Sequence, residues 1–227
     1  MYKNIEVLNK EKFKAMKFAD IKANEVAKNI GIIPLGFTEV IDMSAYAPVI
    51  IMGKEEAEFV AFTGISKEVN IFRNNNVYIP TFPKTYPFLN TNVQDQNGNL
   101  KSVVSIDNGK SVSKKKKFFI FNKDGELQEK TADKIKLLKE LTRQREVSKN
   151  IIKELKSHDL LIEKDFKVKY KDGEKVLLES FYVINRDALI KLSDEVLAKW
   201  AKKGWMSIID CHITSLKRFE KVLASIK

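Results

Sequence analysis

The apolar residues of this chain change period along its length, and that change limits the folds it can adopt. Between Ile32 and Ile65 they come in short runs, "IIPLGFTEVI", "APVIIMG" and "EFVAFTGI", rich in β-branched and aromatic side chains. Runs of that length and composition fit strands. Between Thr131 and Ser157, Ile135, Leu138, Leu141, Ile151, Ile152 and Leu155 instead form a helical stripe, the mark of one long amphipathic helix. At 1.5 Å per residue it is roughly 40 Å long. The expected fold class is therefore α+β, with a β-rich N-terminal lobe at 1–110 packed with a helix-rich C-terminal lobe at 111–227. A single compact domain over 1–227 is expected, with a seam near 90–117.

Local signals refine this outline. The charged turn Lys54-Glu55-Glu56 predicts a hairpin between the second and third runs. A weak helix is expected over Glu11–Asn29, from the spacing of Phe13, Met16, Ala19, Ala23 and Ala27. In "EVNIFRNNNVYIP" two β-rich runs flank Asn74–Asn76, and asparagine tolerates left-handed backbone, so a tight turn is expected there. Residues Asn90–Lys117 read as an irregular connection with turns at Asn97-Gly98 and Asn108-Gly109. Asp124-Gly125 turns the chain after a strand in "KKKKFFIF", and Asp172-Gly173 centres a hairpin whose first strand alternates Phe166, Val168 and Tyr170 with lysines. Thr131 and Ser193 are expected N-caps, Gly204 a C-cap, and a final helix is expected over Trp205–Ser225.

Charge narrows the partners. The formal net charge is +11, and residues 111–227 hold 28 Lys/Arg against 18 Asp/Glu, whereas 1–110 hold 13 against 12. Nucleic acid, anionic lipid or an acidic protein fits such an excess, as does a lysine-rich solvated surface. Lys114, Lys115, Lys116 and Lys117 form the candidate basic patch. Lysines beside "FFIF" also discourage edge-to-edge pairing. Nucleic-acid binding through this run and the long helix is the weaker alternative, because no stacking array accompanies it. No apolar run suits a transmembrane span and the N-terminus lacks the apolar core of a secretory signal. The expected location is cytoplasmic, or the cell surface by a signal-peptide-independent route. Cys211, the only cysteine, excludes an intramolecular disulfide framework and reads as a small buried core residue.

Motifs for chemistry are sparse. The chain has no P-loop, no G-x-G-x-x-G and no G-x-S-x-G, and its two histidines point to no zinc site. No catalytic set, metal or cofactor is expected, and a binding role is favoured over catalysis. Three of the five prolines, Pro80, Pro83 and Pro87, fall among Tyr78, Phe82, Tyr86 and Phe88. Pro80–Pro83 is formally P-x-x-P, but four large rings need burial, so the segment reads as core or pocket wall. In "IIDCHITSLKRF", His212 and Ser215 are helix neighbours, readable as a Ser/His pair or as a histidine bonded to nearby backbone. Tyr78, Tyr86, His212 and Ser215 are the candidate ligand-binding residues. A cleft between the lobes lined by Tyr78, Tyr86 and His212 is the alternative, small-ligand or enzymatic, reading.

Two stretches together carry a resemblance. "NIFRNNNVYIPTFPKTYPF" and "CHITSLKRFEKVL" resemble the bacterial SapC family, which is associated with the surface (S-) layer and cell envelope. The matching elements are Pro34-Leu35 with Glu39, Asn70-Ile71-Phe72, Tyr78-Ile79-Pro80, Tyr86-Pro87-Phe88 and His212-Ile213-Thr214-Ser215-Leu216, in family order across nearly the full chain. The chain departs from the family in keeping one charge, Lys84, before Tyr86, and in having Asn74–Asn76 where glycine and tryptophan are common. The resemblance implies an envelope-associated, non-enzymatic protein that binds an acidic protein or an envelope polymer, with a homo-oligomer as one way of acting; it brings no catalytic set.

Overall fold

The computed structural model describes every residue except 1, 75, 96–97, 171–172 and 225–227. In chain order, the first elements are β1 (Ile5–Val7), α1 (Lys10–Phe13), β2 (Lys17–Phe18), α2 (Ala23–Ala27), β3 (Ile32–Pro34) and α3 (Glu39–Ser44). Next come β4 (Val49–Met52), β5 (Glu58–Phe62), α4 (Thr81–Thr85), β6 (Phe88–Gln94), β7 (Leu100–Asp107), β8 (Val112–Ser113) and β9 (Phe118–Phe119). The remainder is α5 (Glu129–Ser157), β10 (Leu161–Tyr170), β11 (Gly173–Ile184), α6 (Arg186–Leu189), α7 (Asp194–Lys202), α8 (Trp205–Ser215) and α9 (Phe219–Ala224). The fold is α+β. By internal contacts the chain divides into two units, Met1–Ala27 with Thr81–Leu141, and Lys28–Pro80 with Thr142–Lys227. Residues 90–117, where the sequence reading puts its seam, fall wholly in the first.

The first unit holds two three-stranded antiparallel sheets, ordered β1-β7-β6 and β8-β2-β9. Its core gathers Phe13, Phe18, Phe88, Ile106, Ile120 and Leu138. Two expectations fail here. The helix over Glu11–Asn29 is two short helices separated by β2: Asn9 Oδ1 accepts from the Glu11 and Lys12 amides and caps α1, and Lys17-Phe18 then pairs with both β8 and β9. Burying Phe18 completely in a strand outweighs a helical period carried mainly by alanines. The supposed irregular connection is the β6–β7 hairpin, its register running from Phe88↔Ile106 to Gln94↔Leu100. Its outer half is solvated, so Asn, Gln, Ser and Lys stand where an apolar alternation would have signalled strand. Gly98 takes φ 81° in its turn, while Asn97 lies outside the described residues.

The second unit is built on a five-stranded antiparallel sheet ordered β10-β11-β4-β5-β3. The hairpin predicted at Lys54–Glu56 joins β4 to β5, and that at Asp172-Gly173 joins β10 to β11, with Asp172 outside the described residues. One face of the central strands, Ile50, Val60 and Phe62, packs with Phe166, Phe181 and Val222. The opposite residues, Val49, Ile51, Phe59 and Ala61, are also fully buried. Burial on both faces explains why β4 and β5 read as unbroken apolar runs.

Helices in this unit also correct the sequence reading. "IIPLGFTEVI" leaves strand at Pro34 and turns into α3, the turn being closed by reciprocal bonds between Glu39 and Gly36. The Glu39 amide donates to the Gly36 carbonyl (3.0 Å), and the Gly36 amide donates to Glu39 Oε2 (2.9 Å). Ile71–Arg73 is a 3₁₀ turn rather than a strand, capped by Asn70 Oδ1, which accepts from the Phe72 amide. The turn at Asn74–Asn76 contains Asn75, outside the described residues. The final helix breaks into α8, a 3₁₀ turn at Leu216–Arg218 and α9. Cys211 is half-buried, on the flank of α8 rather than in the core.

Helix α5 has residues in both units, and its predicted stripe from Ile135 to Leu155 is buried. It begins two residues before Thr131, whose hydroxyl donates to the Phe119 carbonyl (3.4 Å) instead of capping. Ser193 and Gly204 do act as caps: Ser193 Oγ accepts from the Val196 amide, and Gly204 sits at φ 72° after α7.

Candidate functional site

The proline cluster is packed, as its rings require, but helix replaces much of the expected extended backbone. Pro83 is the third residue of α4, within the first turn, where an amide has no intrahelical acceptor to lose. Pro80, Pro83, Pro87, Tyr86 and Phe88 are buried, with Tyr78 and Phe82 half-buried. The two candidate tyrosines lie in different units and serve different carboxylates. In the second, the Tyr78 hydroxyl donates to Glu39 Oε1 (3.2 Å). Burial, then the Glu39 charge, raises the Tyr78 pKa well above its ordinary value. In the first, the Tyr86 hydroxyl donates to Asp107 Oδ2 (3.1 Å) and lies 2.9 Å from Ser111 Oγ. Asp107 Oδ1 also accepts from the Lys3 and Asn4 amides. Burial raises the Tyr86 pKa, the Ser111 bond opposes the rise and the Asp107 charge adds to it.

His212 and Ser215 do come together, and the sheet is what they meet. Strands β11 and β4 pair at Phe181↔Met52 and Tyr182↔Ile51, a register that would next align Ile184 with Val49. Helix α8 supplies side chains there instead. The Ile184 amide donates to His212 Nε2 (3.1 Å), and the Val49 amide donates to Ser215 Oγ (2.9 Å). Ser215 Oγ in turn donates to the His212 carbonyl (2.6 Å). With Nε2 accepting, the proton of the neutral ring sits on Nδ1. Nδ1 has no partner at bonding geometry. Burial lowers the His212 pKa to about 4, opposed by the Val49 backbone carbonyl. Both residues have zero exposure, and the Phe59 ring centroid lies 6.1 Å from that of His212.

The lysine run is the opposite kind of site. Lys114, Lys115 and Lys117 are exposed and Lys116 half-buried, in the turn between β8 and β9. Space extends the run with two residues that sequence reasoning missed. Lys17 of β2 holds its ammonium 4.1 Å from the centroid of Phe119, and Lys130 of α5 lies 4.7 Å from that of Phe118. Lys117 approaches the Phe118 centroid at 5.2 Å. These are cation–π contacts, and they fasten lysines over the ring of Phe119, which is 45% exposed, and beside the half-buried ring of Phe118. Asp20 pairs with Lys130 (2.7 Å) and Lys134 (3.1 Å), leaving the run itself without a carboxylate partner among the described residues. Only strand pairing brings Lys17 to this place, so no spacing along the chain could announce it.

Both stretches that carry the resemblance line one cavity of about 450 Å³ in the second unit. Asn70, Ile71, Arg73, Asn74 and Val77 come from the first stretch, and Arg218, Lys221 and Val222 from the second. Its rim is tightly closed at Gly64, where a β-carbon would stand 2.0 Å from the Val69 carbonyl oxygen. Tyr78, Tyr86, His212 and Ser215 are not among its lining residues. Among the described residues no group of three or more His, Cys, Asp or Glu is placed to hold a metal, and no helix is long and apolar enough to cross a membrane. Neither a search of curated proteins nor one of solved structures found a match. The SapC family model matches residues 8–222 of the 227, and the chain belongs to the SapC family.

Proposed function

We propose that this SapC-family chain is a non-enzymatic, cell-envelope-associated binding protein, one domain over residues 1–227, that holds an acidic protein or an anionic envelope polymer. The observation that carries this reading is the Lys114–Lys117 turn, extended by Lys17 and Lys130 over Phe118 and Phe119. Fastened lysines lose less side-chain freedom on binding than free ones, and clustered cations attract a polyanion over the Debye length. Support for a non-catalytic role comes from the carboxylates of Glu39 and Asp107 and from His212 Nε2, which serve the fold's own hydrogen bonds. The rings favour a polymer without bases, because a lysine already lies over each of them and a stacked base needs a free face.

Binding of poly-glutamate and of polygalacturonate, at low and high salt, tests the proposal. Replacing Lys114, Lys115, Lys116 and Lys117 with glutamine is expected to weaken binding about tenfold or more at low salt and to flatten its salt dependence. Replacing Lys136, Lys139, Lys191 and Lys202 removes the same charge from exposed positions elsewhere and is expected to cost much less. Equal losses for the two variants, or binding indifferent to salt, would sink the reading.

A further inference from the structure

The cavity of the second unit has a different chemistry from the lysine turn and requires nothing of it. Arg73, Arg218 and Lys221 line it against one carboxylate, Glu68. Its neutral polar groups are largely committed to the fold. Thr63 Oγ1 donates to the Ile30 carbonyl (2.6 Å), and Asn70 Nδ2 donates to the same oxygen (3.0 Å). Asn74 Oδ1 accepts from the Asn76 amide (3.0 Å). The cations are not so committed. Arg73 gives one Nη1 hydrogen bond to the Glu68 carbonyl (3.4 Å), out of the five N–H donors a guanidinium offers. The side chains of Arg218 and Lys221 make no hydrogen bond or ion pair among the described residues.

Between these charges the wall is apolar, with Tyr46, Val69, Ile71, Val77 and Val222. The volume, about 450 Å³, falls within the roughly 300–1,000 Å³ of small-ligand sites. The close backbone approach at Gly64 and the bridge from Gly64 to Asn70 fasten one wall of the cavity. Cations with donors to spare beside an apolar wall match a molecule with an anionic head and a short apolar body.

We propose that this cavity binds a small organic anion, its carboxylate or phosphate held by Arg73, Arg218 and Lys221 and its apolar part lying against Tyr46, Val77 and Val222. Calorimetric titration of the full chain with octanoate, octyl phosphate, inorganic phosphate and octanol tests this. Saturable one-to-one binding is expected for octanoate or octyl phosphate, and whichever binds identifies the head group. Inorganic phosphate is expected to bind more weakly than the alkyl anion, and octanol not to saturate.

Arg73→Gln, Arg218→Gln and Lys221→Gln together are expected to weaken binding by about a thousandfold or more, about tenfold for each charge-assisted hydrogen bond lost. Ala45→Trp should block the cavity by bulk alone while leaving all three cations in place. Lys114→Gln, Lys115→Gln and Lys117→Gln, which remove equal charge from the first unit, should leave octanoate and octyl phosphate binding unchanged. Thermal unfolding of each variant establishes that it is folded before its affinity is read. No saturable binding by either alkyl anion, octanol binding as well as they do, or full affinity in both cavity variants would overturn the proposal.

Discussion

The buried end of β4 and β11 and the lysine turn between β8 and β9 both contain residues that invite a functional reading, and they treat them oppositely. At the first, His212 and Ser215 resemble half of a catalytic arrangement, yet they replace a strand ladder and have no exposure. At the second, four consecutive lysines resemble a generic solvated run, yet two more from distant positions join them around two rings. A residue with reactive chemistry can be consumed by the backbone it satisfies. Residues without any can become a site when the fold gathers them. Mutation should therefore separate the two regions cleanly, with stability lost at one and affinity at the other.

The largest expected effect is at His212. His212→Ala strands the Ile184 amide, removes the ring packed by Phe59 and leaves a cavity, so a cost of about 2–4 kcal/mol is expected in urea unfolding. Titration gives a second handle. Above the ordinary value of 6.5 the imidazole is neutral in both states. As pH falls from there, the unfolded chain takes up a proton that the folded core refuses until about pH 4. Stability from this residue is therefore lost between pH 6.5 and 4, by an amount on the order of 3 kcal/mol. His212→Gln keeps a neutral hydrogen-bonding group and should flatten that part of the profile. An unchanged slope in His212→Gln would mean that His212 is hydrated, and the contrast with the lysine turn would lose its strongest member.

Smaller effects are expected from the tyrosine ties. Tyr86→Phe leaves the buried Asp107 carboxylate short of one donor, so about 1–3 kcal/mol is expected. Tyr78→Phe loses a bond at a half-buried position, with about 1 kcal/mol expected and the bond from the Gly36 amide to Glu39 preserved. Equilibrium unfolding of both variants would rank them, and since Glu39 and Asp107 are equally buried, the reverse order would show that burial of the tyrosine is not what sets the cost.

Much of this arrangement is legible in the sequence, and the failures share a cause. The stripe on α5, the hairpins at Lys54–Glu56 and Asp172-Gly173, and the caps at Ser193 and Gly204 are set by neighbours within a few residues. Their patterns appear undiluted in the chain. The β6–β7 hairpin was hidden because its outer half faces water, and β2 because its two residues gain their strand only from distant partners. The site divides in the same way. Lys114–Lys117 and the His212/Ser215 pair are visible as local strings. Lys130 reaches Phe118 only where the chain folds back into α5, and Lys17 and the convergence of Arg73 with Arg218 and Lys221 depend on contacts between segments far apart in sequence.

The smallest expected change in stability belongs to the lysine turn. Replacing Lys114, Lys115, Lys116 and Lys117 with glutamine removes the contact between Lys117 and Phe118, which opposes folding of the variant. It also removes mutual repulsion among four adjacent cations in a chain of net charge +11, which favours it. Lys130 still covers Phe118 and Lys17 still covers Phe119, so neither ring loses its last lysine. Relief of repulsion should then prevail at low salt, giving a small rise in the unfolding midpoint that vanishes once salt screens the charges. A fall in the midpoint that persists at high salt would place the lysines among the fold's supports. The turn would then have to be classed with His212, and the binding surface sought elsewhere.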